Sequence, residues 1–160
     1  MNKTPPQEQA IYSARREKLL AMLPQGSIAV LANAPVRQRN ADCDYTYRPD
    51  SSFYYLTGFD EPGAVAVFYP GNAAGEYILF CRDADPVRDV WDGPSVNPDT
   101  AADLYASDAA FPISILDDFL QDNLAKVDSL YYPLHSQMHL DFRIQRVMRK
   151  IRLGIHRQIM

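Results

Sequence analysis

Four short apolar runs, Ser27–Ala34, Ala64–Tyr69, Tyr77–Cys81 and Ser129–Leu134, are set between longer amphipathic segments, and this alternation constrains the fold more than any other feature. Each run is too short for an ordinary helix and carries β-branched or aromatic residues, so each reads as a buried strand. The second and third are joined by Pro70-Gly71-Asn72-Ala73-Ala74-Gly75, which predicts a β-hairpin with a longer loop. Before the first run, Thr4 caps a predicted helix, Pro5 suits its first turn and Gln7 takes the capping-box position. Tyr12, Leu19, Leu20 and Leu23 recur along it at helical spacing, and Pro24-Gln25-Gly26 ends it. Asn97 or Asp99 is expected to cap a short helix over Thr100–Tyr105. Ile113–Leu124 is amphipathic through Leu116, Phe119, Leu120 and Leu124. A long helix is predicted from Gln137 to about Ile155, with Leu140, Ile144, Val147, Met148 and Ile151 on one face. Residues 35–50 read as polar and irregular, Phe53–Thr57 as a short strand stopped by Gly58, and Asp83–Gly93 as irregular or a short helix. Strands flanked by helices predict an α/β fold, a three-layer sandwich with a mixed β-sheet between helices. At 160 residues with 47% apolar content the chain reads as one domain that needs no disulfide staples.

Charge and cysteine usage exclude several functions. A net charge of −4 argues against nucleic acid as a partner, since a phosphate-binding surface needs positive charge. The cluster Arg143, Arg146, Arg149, Lys150, Arg152 and Arg157 reads instead as a solvated helix face. Two cysteines, Cys43 and Cys81, are too few for a disulfide framework and read as free thiols in a reducing cytoplasm. No signal-peptide pattern is visible and no apolar run approaches the roughly 20 residues that span a bilayer, so no membrane partner is expected.

The residues that could carry chemistry concentrate between Asp42 and Gly63. Asp42 and Asp44 would share a face as strand positions i and i+2, beside Asp50, and paired carboxylates can act as acid and base or grip a hard cation. Arg39 and Arg48 are close enough in sequence to neutralise them, which favours a structural role. Ser51 and Ser52 lack a nucleophile elbow and a neighbouring histidine, and Ser52 is expected to bond local backbone. Cys43 stands among acids, a setting that raises a thiol pKa and argues against a nucleophile. Tyr45, Tyr47, Phe53, Tyr54, Tyr55 and Phe59 form an aromatic cluster assigned mainly to the core, through alternating Phe53 and Tyr55, with a remainder free to build an interface. His135 and His139 are four apart, but Pro133 precedes them and Ser136, not glutamate, follows His135, so they read as surface residues rather than a metal site. His156 reads likewise. Trp91, the one tryptophan, stands in a polar segment.

The run from Asp42 to Gly63, with Tyr47-Arg48 and Tyr54-Tyr55-Leu56-Thr57-Gly58 inside it, resembles the signature of the N-terminal domain of Xaa-Pro aminopeptidases (aminopeptidase P) of the creatinase/prolidase superfamily. Arg82-Asp83 followed by Val90-Trp91-Asp92-Gly93 is similar to a second motif of that family. The resemblance, from about Tyr12 to about Arg157, implies an RNase H-like sheet and a domain that is not itself catalytic. It implies a catalytic "pita-bread" domain following residue 160 as its partner in the full-length protein, holding two divalent metal ions, manganese by family habit. No metal ligand falls within the matched stretch. The implied substrate is a peptide with proline at the second position, and the implied assembly is a cytoplasmic homo-oligomer. By resemblance Trp91 is a substrate-binding residue that reaches a neighbouring subunit's pocket, although Asp92 and Pro94 depart from the usual pattern there. A standalone peptide- or protein-binding module is the alternative, and a nuclease on the same sheet a third reading.

Overall fold

The computed structural model describes residues 6–83 and 96–159, with side chains described over 8–83 and 96–154. The elements run α1 (Pro6–Met22), β1 (Ser27–Ala32), β2 (Gln38–Asn40), β3 (Cys43–Asp44), α2 (Ser51–Thr57), β4 (Val65–Phe68), β5 (Tyr77–Cys81) and α3 (Pro98–Tyr105), then β6 (Ala109–Pro112), a 3-10 turn (Ile113–Ile115), α4 (Leu116–Leu124), β7 (Ser129–Tyr131) and α5 (Met138–Ile159). The sheet has the order β6-β5-β4-β1-β7. The predicted hairpin forms, with Val65 opposite Phe80 and Phe68 opposite Tyr77. β4 is also antiparallel to β1, whereas β7 joins β1 and β6 joins β5 in parallel. The sheet is therefore mixed.

Side-chain alternation along the strands builds two cores, because successive residues of a strand point to opposite faces. Ile28, Val30, Val65, Val67, Ile78 and Phe80 bury one face against Leu116, Leu120 and Leu124 of α4 and Leu140, Ile144 and Val147 of α5. Ala29, Ala66, Phe68, Tyr77 and Leu79 bury the other against Leu19, Leu20 and Leu23 around the end of α1, Phe53 of α2, and Ala101 and Leu104 of α3. Each large side chain so buried contributes about 1.5–3 kcal/mol. The result is the expected α/β sandwich of three layers.

Phe53–Thr57, expected as a strand, belongs to a helix. Strand propensity from its aromatics loses to a strong local start and stop. Asp50 accepts from the backbone N–H groups of Ser52 and Phe53, and Gly58 closes the helix at φ 68°. A Cβ on Gly58 would run into the Tyr12 ring, so the position needs glycine twice over. The helix also changes which aromatics are buried. Phe53 and Thr57, four apart, face inward, while Tyr54 and Tyr55 are exposed. The pairing of Phe53 with Tyr55 in the core is thus corrected.

Residues 35–50, expected to be irregular, contain the short β2–β3 hairpin. Ala109–Pro112, an unassigned stretch, is the edge strand β6. Asn97, not Asp99, caps α3. Of the basic cluster, Arg143 and Arg146 both reach Asp117 on α4, and Arg149, Lys150 and Arg152 are exposed. Thr4, Pro5 and most of the Asp83–Gly93 segment lie outside the described residues. Among the described residues no helix is long and apolar enough to cross a membrane.

Candidate functional site

The signature run folds around one buried polar side chain at the end of the first strand run. Asn33 is fully buried. Its Nδ2 donates to the carbonyls of Phe59, at 3.4 Å, and Glu61, at 2.8 Å. Its Oδ1 accepts from the N–H of Ala34, at 3.0 Å, and of Asp50, at 2.8 Å. One amide thus ties the exit of β1, the entry to α2 and the 59–61 turn together. All four amide positions are used, as a buried amide requires. The sequence offered a signal for this: an asparagine inside an otherwise apolar run.

Asp50 extends the same network. Its Oδ1 caps α2 at 3.0 Å from both N–H groups. Its Oδ2 accepts from Ser136 Oγ at 3.5 Å and Gln137 Nε2 at 3.4 Å, across to the start of α5. Asp50→Ala removes the cap and is expected to cost about 1–2 kcal/mol, measured as a lower urea midpoint with an unchanged slope. Tyr47 donates its hydroxyl to the Ala34 carbonyl at 3.2 Å. Burial, then Asp60, Asp50 and Glu61, push its phenol up to about 12. Thr57 Oγ1 donates to Phe53 O at 2.8 Å and accepts from Phe59 N at 3.0 Å, closing the helix end.

Helix α1 is bolted to this loop by two arginines. Arg15 donates to Tyr55 O at 3.0 Å and lies 4.0 Å over the Tyr55 ring. Arg16, only 4% exposed, donates to Leu56 O, Ser13 Oγ and Ala106 O, and lies 4.3 Å over the Tyr77 ring. Burial lowers its pKa. The charge is held by carbonyls and a ring face, a role the sequence pattern did not reveal.

Between the signature loop and Gln137 lies a cleft of about 310 Å³, lined among others by Arg37, Tyr45, Thr46, Arg48 and Ser51. On the far side of the loop, Glu61 Oε1 accepts from Val96 N at 2.6 Å. This hydrogen bond fixes the point where the chain enters α3. Trp91, Asp92 and Pro94 lie outside the described residues.

The other sequence candidates are dispersed. Asp44 is on β3, while Asp42 lies in the β2–β3 turn, so they do not share a strand face. Both are exposed, and Asp50 is committed to the cap. Ser52 gives its backbone N–H to the Asp50 carboxylate, and its hydroxyl makes no hydrogen bond to local backbone among the described residues, which corrects the expectation. Cys43 is exposed and Cys81 buried, and burial pushes the Cys81 thiol up to about 12. His135 lies in the turn before α5 with φ 64°, its ring 3.6 Å from Asp141, and His139 stands in the first turn of α5. His156 is on α5, its side chain outside the described residues. Among the described residues no group of three or more His, Cys, Asp and Glu could hold a metal ion.

Comparison with known proteins agrees with this architecture. Residues 12–131 match the family model described as "Aminopeptidase P, N-terminal domain". The Xaa-Pro aminopeptidase of Escherichia coli K12 is 31% identical over 144 residues, which is 89% of this chain and 33% of that protein. Rat Xaa-Pro aminopeptidase 3 is 33% identical over 87% of this chain and 31% of its own length. Among solved structures, the Pseudomonas aeruginosa aminopeptidase PepP superposes with a TM-score of 0.89 at 41% identity, covering 98% of this chain and 35% of that one. A zinc-substituted E. coli aminopeptidase P in complex with product gives a TM-score of 0.87 at 29% identity, covering 94% and 34%. The chain spans about a third of the length of these relatives. With the matched residues covering β1 through β7 and the Asn33-centred loop at their heart, the chain belongs to the aminopeptidase P N-terminal domain family.

Proposed function

We propose that this chain is the non-catalytic part of an Xaa-Pro aminopeptidase, a cytoplasmic homo-oligomer in which it joins subunits and forms one wall of the substrate pocket. The observation that carries this reading is the likeness to the P. aeruginosa aminopeptidase over 98% of the chain at 41% identity. The substrate is then a peptide with proline second, and the reaction removes the residue before it. The reading assigns the enzyme's metal pair, with manganese as the metal, to the part of the relatives that this chain does not match, since it spans about a third of their length. Two free cysteines suit a reducing compartment.

In this reading the Asn33–Asp50 network has a structural purpose. It holds the signature loop rigid, and Glu61 on the same loop fixes the chain at Val96, five residues after Trp91. Trp91 supplies the wall. Trp91→Ala, made in the full-length enzyme, is expected to lower kcat/KM for Xaa-Pro peptides by about tenfold or more. Steady-state kinetics on a short peptide series test it. Unchanged kcat/KM across the series would remove the pocket role.

A further inference from the structure

We propose that the cleft between the signature loop and α5 is a binding site for a carboxylate-bearing ligand, either a small free acid or the C-terminal end of a peptide. The cleft is lined by two guanidiniums, Arg37 and Arg48, against one carboxylate, Asp50. Asp50 is spoken for: Oδ1 caps α2 and Oδ2 faces Ser136 and Gln137. The Tyr47 hydroxyl is also committed, to Ala34 O. Among the described residues neither Arg37 nor Arg48 makes an ion pair, a hydrogen bond through its side chain or a stack on a ring.

The charged lining residues that stay uncommitted are therefore both positive. A planar fork of N–H groups suits a carboxylate in two-pronged geometry. The site is also partly preorganised. Tyr45 donates its N–H to Arg37 O at 2.9 Å, extending the β2–β3 pairing and holding these two residues side by side. Tyr45, 58% exposed, also lines the cleft and offers an aromatic surface for the apolar part of a ligand. The volume of about 310 Å³ is at the small end of ligand sites, suited to one or two residues of a peptide or a compact acid.

This inference does not depend on the peptidase reading, because it needs no catalysis. The test is an NMR or calorimetric titration of the purified 160-residue chain. The probes are N-acetylphenylalanine, its primary amide, benzoate and inorganic phosphate. N-acetylphenylalanine or benzoate is expected to bind with a Kd of about 1 mM, weakening as salt rises. Arg37→Gln and Arg48→Gln are each expected to weaken it about tenfold while the melting temperature stays put, since both side chains are exposed. Preference for N-acetylphenylalanine over benzoate identifies a peptide end, and the reverse a free acid. The proposal is overturned if the amide binds as well as the acid. It is equally overturned if phosphate binds as well as either carboxylate, if both arginine variants bind like the parent, or if no carboxylate binds below about 20 mM.

Discussion

Asn33→Ala is expected to lower the unfolding free energy by about 3–5 kcal/mol, a large fraction of what a domain of this size has in reserve. The side chain is fully buried and its amide serves two backbone N–H groups and two carbonyls. Removing it strands four polar groups, one on buried Phe59 and three on half-buried residues, and each stranded group costs about 1–3 kcal/mol before relaxation. Relaxation of the loop recovers part of that sum. Asn33→Asp sharpens the test. It keeps the acceptor for Ala34 and Asp50 but cannot donate to Phe59 and Glu61, and it sets a carboxylate oxygen against those two carbonyls. Urea denaturation followed by circular dichroism should give both variants midpoints well below the parent. A loss under about 1 kcal/mol for Asn33→Ala would mean that the loop does not depend on this amide.

Arg16→Ala is expected to cost a comparable amount, about 3–4 kcal/mol. Two effects oppose each other. Burying a guanidinium is unfavourable and lowers its pKa, an effect that Asp108 and Glu17 only partly offset from a distance, and removing the charge relieves that. Against this stand the hydrogen bonds to Leu56 O and Ala106 O, the contact with Ser13, the ring of Tyr77 and the volume of the stem. Charge-assisted hydrogen bonds contribute about 1.5–3 kcal/mol each and the ring contact about 1–2, so the losses win. The Ala106 carbonyl makes the site harder to repack, because Ala106 itself sits at φ 48°, in a conformation that favours glycine. Arg16→Lys should recover only part of the loss, since a single ammonium cannot reach carbonyls on α2 and after α3 together. Equal stability of the lysine variant and the parent would show that charge alone, not the fork, holds α1.

The strands and long helices were legible because periodicity reports burial directly. Ile28, Val30 and Ala32 alternate with Ala29 and Leu31 between the two cores, and Leu140, Ile144 and Val147 recur at helical spacing. Where the sequence misled, a local signal competed with a longer-range one. Phe53, Tyr54 and Tyr55 favour a strand by propensity, but Asp50 and Gly58, a cap at each end, set the helix. β6 was hidden because Ala109-Ala110-Phe111-Pro112 has almost no strand character of its own. It becomes a strand by pairing with β5, a contact no local pattern announces. The signature loop was recognisable as a unit, whereas its organising residue showed only as a polar side chain in an apolar run, with nothing to say what it bonds. Asn33 lies nine residues before the run, and its four partners are spread over Ala34, Asp50, Phe59 and Glu61. Arg16 was hidden for the same reason: in sequence it is one of several charges on α1, and only packing against α2 and α3 distinguishes it.

The chain belongs to the aminopeptidase P N-terminal domain family, and the proposed function holds that it does not itself perform the chemistry. The most direct measurement is release of the N-terminal amino acid from an Xaa-Pro peptide by the purified 160-residue chain, with and without added manganese. No release above the buffer blank is expected in either condition. Manganese-dependent release that co-purifies with the chain, and persists through gel filtration at its own mass, would contradict it and place a working metal site within these 160 residues.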